Sequence, residues 1–187
     1  MRGNSKARSR SNAGECALCI GVSLWLLVVG CDHGLEATPP GPTGISGRVT
    51  FIGIWPDEVE QVAVAVYREV PQQLEDFFAL TGADTEVELG AENYDYFVPI
   101  EADGVYQWVV VAWRRKDSFW DFSSLLGCHY LPGEELPGQV AVRRGQVTRD
   151  IDIVVDLGIL QGEKIPGMDI CERVLPAELL AVRDQGD

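Results

Sequence analysis

Histidine is nearly missing from this chain: His33 and His129 are the only two in 187 residues. Chemistry that needs several imidazoles, such as a multi-histidine metal site, is therefore excluded. No G-x-S-x-G, H-E-x-x-H, P-loop or dinucleotide fingerprint occurs. Basic residues are also scarce where a folded domain would lie. Residues 1–30 hold four bases (Arg2, Lys6, Arg8, Arg10) and one acid, Glu15, out of 15 Lys+Arg and 29 Asp+Glu. The remainder carries 15 − 4 = 11 bases and 29 − 1 = 28 acids, a net charge of −17 against −14 for the whole chain. A body that acidic repels phosphate backbones and anionic headgroups, so nucleic acid and a polybasic membrane patch are both discounted. A full-length transmembrane run is lacking too. The longest uncharged stretch, CALCIGVSLWLLVVGC (16–31), would span roughly 24 Å as a helix against about 30 Å of hydrocarbon.

What is present is enough to bury a core. The composition is 46% hydrophobic and 24% charged with five tryptophans, and the length suits one domain with appendages. The basic head followed by the short apolar run has the order of a secretory signal, residues 1–30. Residues 31–44 interleave Pro39, Pro40 and Pro42 with Gly34, Gly41 and Gly44 and have no hydrophobic period, which predicts an extended tether. His33, inside it, reads as solvated.

The seam between these segments, Val28-Val29-Gly30-Cys31, resembles the bacterial lipobox, in which small residues precede a cysteine that becomes the first residue of the mature chain. The resemblance implies lipidation of Cys31 and a membrane partner reached through the lipid. Two or three acyl chains hold a protein stably where one does not, at about 0.8 kcal/mol per buried methylene. An uncleaved signal anchor and an ordinary secreted protein are the alternatives. On the lipobox reading Cys16 and Cys19 leave with the signal, and Cys128 and Cys171 remain as an even pair in an oxidising compartment. They are a disulfide candidate that would close a loop of about 43 residues, and the sequence does not show that they approach each other.

Residues 45–160 read as the domain and as β structure, with 161–187 as a C-terminal tail holding at most a turn or two of helix. Strands are predicted at 45–54, 61–70, 94–100, 105–115, 139–143 and 148–157 from alternating or continuous apolar patterns. The last alternates Ile151, Ile153, Val155 and Leu157 with Asp150, Asp152 and Asp156. A short helix is predicted from Pro71 with Leu74, Phe77 and Phe78 at helical spacing and Gly82 as its stop. Residues 116–139 read as a long loop whose Phe119, Trp120, Phe122, Leu125 and Leu126 fold over one end. Six or seven short strands fit an all-β, two-sheet sandwich.

The second half resembles the prealbumin-like (transthyretin-like, carboxypeptidase regulatory-like) β-sandwich modules of bacterial exported proteins. The motifs are Asp103-Gly104-Val105-Tyr106 leading to Val111-Ala112-Trp113, then Leu126-Gly127-x-x-Tyr130, Val140-x-Val142, and Gly145 followed by Ile151-Asp152-Ile153. Ile45-Ser46-Gly47-Arg48-Val49 fits the modules' first strand. Some relatives carry a calcium loop after Ala-Trp. Here Arg114, Arg115 and Lys116 would face the cation and no Asp-x-[Asp/Asn]-x-[Asp/Asn]-Gly spacing exists, so no calcium, other metal or cofactor is expected.

Reactive groups are few. Cys128 and His129 are adjacent, and in an extended segment they point to opposite sides, so they form no dyad. Glu134-Glu135 reads as a solvated turn, and Asp150 with Asp152 as a charged outer face. Trp55, Trp113, Phe119 and Trp120 fall at or beyond strand ends; on one rim they would make a ligand platform for sugar rings or a partner's apolar side chain, and otherwise they cap the core. The combined expectation is a non-enzymatic lipoprotein of the bacterial envelope, serving as a structural or interaction module with an envelope protein or glycan as partner. A carbohydrate-binding lipoprotein using those aromatics is the first alternative, and a hydrolase using Glu134 or Asp150 the second.

Overall fold

Alternation of side chains along β1 (Gly44–Ile52) sends Ile45, Val49 and Phe51 inward and leaves Arg48 and Ile52 outside. β1 is the centre of the first sheet. It pairs antiparallel with β4 (Asn93–Pro99), and parallel with both β9 (Val147–Thr148) at its start and β10 (Ile153–Asp156) at its end. The second sheet runs β3-β2-β6-β7, built from β3 (Gly82–Asp84), β2 (Val59–Tyr67), β6 (Trp108–Arg115) and β7 (Leu125–Cys128), all antiparallel. A third, two-stranded ribbon joins β5 (Gly104–Tyr106) to β8 (Val140–Val142). The computed structural model describes residues 41–120, 124–162 and 168–183. The expected signal segment and most of the tether lie outside them.

The class is all-β and sandwich-like. Ile45, Val49, Tyr96, Val98, Ile153 and Val155 of the first sheet share one buried cluster with Val62, Val64, Val66, Val109 and Val111 of the second. β2 and β6 explain why their sequences are apolar on both faces. Their alternate residues Ala65, Tyr67, Trp108 and Val110 enter a second cluster on the far side of the same sheet. The cover there comes from the C-terminal segment: α1 (Met168–Glu172), α2 (Ala177–Arg183) and the turn between them bring Cys171, Leu179 and Leu175 respectively, all buried. The described part of 161–187 is thus a third layer and not a free tail. Each such leucine contributes roughly 1.5–3 kcal/mol of transfer free energy.

Several boundaries differ from the sequence reading. The stretch 105–115 is not one strand: Gln107 breaks it, donating its amide to the Tyr67 and Arg68 carbonyls, so β5 and β6 serve different sheets. The stretch 148–157 is broken too, because Asp150 adopts a left-handed φ of 62° and ends the alternation between β9 and β10. The 71–82 helix is a single 3-10 turn, Leu74–Phe78, and Gly82 begins β3 instead of stopping a helix. Asp76 closes that turn by accepting from the Gln72 and Gln73 amides, which hold its carboxyl below the ordinary carboxylate range. Finally, Leu125 and Leu126 are not lid residues but strand residues of β7.

Candidate functional site

On the outer face of the first sheet, polar side chains of β1 pair with those of β4. Arg48 projects outward and grips Asp95 on the neighbouring strand, Nε to Oδ1 at 2.7 Å and Nη2 to Oδ2 at 3.2 Å. That hydrogen bond lowers the Asp95 pKa and raises that of Arg48. The Arg48 amide donates to Asp152 Oδ1 at 2.8 Å. Asp152 thereby caps a strand amide, while Asp150 sits at the left-handed kink two residues earlier. The two carboxylates do not line one strand face as the alternation predicts. Glu134 and Glu135 lie in an exposed turn, with the Glu134 amide on the Leu131 carbonyl and the Glu135 carbonyl accepting from Arg173.

Cys128 and His129 do diverge. Cys128 faces the second cluster and is bonded to Cys171, with Cα atoms 5.6 Å apart and 43 residues between them in sequence. His129 is buried and its Nδ1 lies 3.0 Å from the Asp152 carbonyl. A carbonyl only accepts, so Nδ1 carries the proton and the imidazole ties β7 to the start of β10. Gly138 packs against the same ring, and its amide donates to the His129 carbonyl. His129 is a structural tie here.

The four aromatic residues do not share a surface. Trp55 packs on Phe51, ring centroids 4.7 Å apart, and its Nε1 donates to the Ala91 carbonyl at 3.1 Å. Trp113 is only 8% exposed, belongs to the cluster between the sheets, and carries the Arg115 guanidinium on its ring. Trp120 packs against the second cluster, on the opposite face of the β2–β6 sheet. Phe119 alone stands in solvent, at 89% exposure. Three of the four thus serve packing, which is how a pattern that says "strand end" but not "which face" misleads.

What the loops do build is a tip at the end of β1. Lys116 donates its amide to the Glu58 carbonyl and its ammonium to the Asp57 carbonyl, and Arg114 pairs with Glu60 at 2.7 Å. The Lys116 contacts fasten the β6–β7 loop to the β1–β2 loop, and the Arg114–Glu60 pair joins β6 to β2 beside them. Ile54, 79% exposed, projects from the β1–β2 loop and Phe119 from the β6–β7 loop. The sequence pattern places Ile54 at the end of the 45–54 strand, whereas β1 stops at Ile52 and leaves Ile54 in the loop.

Burial marks two further groups. Tyr67 donates its hydroxyl to the Phe77 carbonyl at 2.7 Å and Tyr96 to the Ile151 carbonyl at 2.6 Å, and desolvation pushes both phenols well above their ordinary pKa. Among the described residues there is no group of three or more His, Cys, Asp or Glu arranged to hold a metal, and no helix long and apolar enough to cross a membrane. No protein-family model, curated protein or solved structure matches the chain.

Proposed function

We propose that this chain is a non-enzymatic lipoprotein of the bacterial cell envelope, held to a membrane through acylated Cys31, whose domain is a prealbumin-like sandwich acting as a structural or interaction module. The observation that carries the reading is the seam Val28-Val29-Gly30-Cys31, small residues and a cysteine closing an apolar run behind a basic head. Two structural features support it. The first strand begins at Gly44, thirteen residues after Cys31, so every described strand lies within the chain that lipoprotein maturation would leave. The Cys128–Cys171 bond suits an oxidising, exported location. Two packed four-stranded sheets, with the first strand parallel to the last, support the prealbumin-like assignment.

The test is intact mass and detergent phase partitioning of the native chain beside Cys31→Ala. A mature chain starting at Cys31 with added acyl mass, absent from Cys31→Ala, is the expected result. A native chain starting at Met1 with an unmodified Cys31 thiol overturns the reading.

A further inference from the structure

We propose that three loops at the end of the domain far from the chain's entry dock a cationic polypeptide segment in which lysine or arginine alternates with apolar side chains. The inference rests on the reading of this chain as an interaction module and names the chemistry of its partner.

Strand directions bring the loops together. β1 carries the chain from Gly44 to Ile52, nine residues at about 3.3 Å each, so the β1–β2 loop (53–58) lies roughly 30 Å from the tether. β1 pairs antiparallel with β4 and β2 antiparallel with β6. The β3–β4 loop (85–92) and the start of the β6–β7 loop (116–120) therefore reach the same end. Trp55 and Lys116 stitch the three to one another. The Trp55 ring packs on Phe51 and its Nε1 donates to the Ala91 carbonyl, while the Phe51 amide donates to the Glu92 carbonyl. Lys116 spends its amide on the Glu58 carbonyl and its ammonium on the Asp57 carbonyl.

Each loop then exposes one large apolar side chain: Ile54, Leu89 and Phe119. Ile54 and Phe119 are the two most exposed of their kind among the described residues. A single exposed leucine needs no explanation, but the two extremes standing on two loops fastened together do. The charge around them selects the partner. The three loops hold Asp57, Glu58, Glu86, Glu88, Glu92 and Asp117 against Lys116. The adjoining strand ends add Glu60 and Asp156 against Arg114 and Arg115, so the end carries 3 − 8 = −5. All three bases are engaged, Lys116 on a carbonyl, Arg114 on Glu60 and Arg115 over the Trp113 ring. None of the six loop carboxylates makes a salt bridge among the described residues. A second copy of this chain would set the same acids against them, and an anionic bilayer meets the same repulsion. A segment alternating cations with apolar side chains answers both features, with apolar contact at the centre and ion pairs at the rim.

The experiment uses the full acylated chain in phosphatidylcholine nanodiscs, with empty nanodiscs as the blank. The probes are three fluorescent hexapeptides, alternating Lys-Leu, Lys-Ser and Glu-Leu, read by anisotropy at about 0.15 M salt. Lys-Leu is expected to bind at least about ten-fold tighter than Lys-Ser, and Glu-Leu not to bind. I54S/F119S is expected to bring Lys-Leu down to the Lys-Ser affinity. L74S/F78S, which removes exposed apolar side chains beyond the other end of β2, is expected to keep the gap. E58Q/E88Q/E92Q is expected to weaken both lysine peptides. A gap that persists in I54S/F119S, a gap that closes equally in L74S/F78S, or Glu-Leu binding as tight as Lys-Leu overturns the docking and leaves the lipid anchor standing. Intact mass on the same preparation reads the anchor separately: a Cys31 without acyl mass overturns the lipoprotein reading, while a gap that depends on Ile54 and Phe119 still supports the docking.

Discussion

Gly47 lies against Ile151 so closely that a methyl group on its α-carbon would overlap the Ile151 carbonyl. That carbonyl also accepts the Tyr96 hydroxyl, and the Ile151 amide donates to the Ser46 carbonyl. Three segments converge on one peptide unit, where Asp150 turns the chain between β9 and β10. Nothing soft is available to move. Gly47→Ala is therefore expected to cost about 2–3 kcal/mol through overpacking, despite the entropy it removes from the unfolded chain. Urea denaturation checks this, with Gly90→Ala as the contrasting case of an open site whose positive φ alone is strained.

The bond between Cys128 and Cys171 fastens the helical layer to the β2–β6 sheet. Closing a 43-residue loop stabilises by about 4 kcal/mol in the chain-entropy picture, and about 2–4 is a usual range. The double variant Cys128→Ala/Cys171→Ala is expected to lose that much in denaturation, and to be cut by protease within 161–183 before its strands are touched. Cleavage that begins in the sheets instead would show that the helical layer holds without its bond.

How far the sequence disclosed this arrangement depends on the kind of signal each residue carries. Period-two patterns in 45–54, 61–70 and 94–100 locate β1, β2 and β4 to within a few residues, because one buried face imposes alternation. The break at Gln107 is invisible, since both sides of it are apolar and only pairing with different sheets separates them. The left-handed Asp150 hides in a flawless alternation for the same reason. β7 hides inside a segment whose glycine, prolines and length read as loop. The candidate aromatics fail differently: position after a strand says nothing about which face a ring joins, so Trp113 and Trp120 end on opposite sides of one sheet. The place of the arginines in 143–149 needed registers. Arg143, Arg144 and Arg149 are unremarkable in a list of eleven bases until β9 pairs with Gly44 and brings them to the chain's entry point.

Trp108 is the one buried side chain whose polar atom, Nε1, finds no partner among the described residues, although the residue is 1% exposed. Its ring packs at 5.5 Å from Tyr67 under the helical layer. Removing an unsatisfied donor recovers part of the desolvation cost while losing some contact area. Trp108→Phe is thus expected to change stability by less than about 1.5 kcal/mol, against about 3–5 for Trp108→Ala. Thermal or urea unfolding of the pair decides it. A Phe variant as damaged as the Ala variant would mean that the indole nitrogen does have a partner.

The buried phenols set the alkaline limit of the fold. Tyr67 and Tyr96 have pKa values raised by desolvation in the folded state, and an ordinary value near 10 applies once the chain unfolds. For an acid whose folded pKa is raised, the folded state keeps its proton when the unfolded state has lost it. The stabilisation is fully present below pH 10 and drains away as pH climbs above it, by up to about 1.4 kcal/mol per pH unit for each group. With both groups acting, the loss is up to about 2.7 kcal/mol per unit. Near-ultraviolet phenolate absorbance is therefore expected to rise in two stages, the second coincident with loss of the β-sheet circular dichroism signal. Tyr96→Phe removes one of the two protons and costs about 1 kcal/mol at neutral pH through its lost bond to Ile151. It should also make the alkaline fall in stability shallower, because one fewer proton is released on unfolding. If Tyr67 and Tyr96 titrate near pH 10 while the sheets remain intact, the hydroxyls are in contact with water and the packing described around Ile151 and Phe77 is wrong.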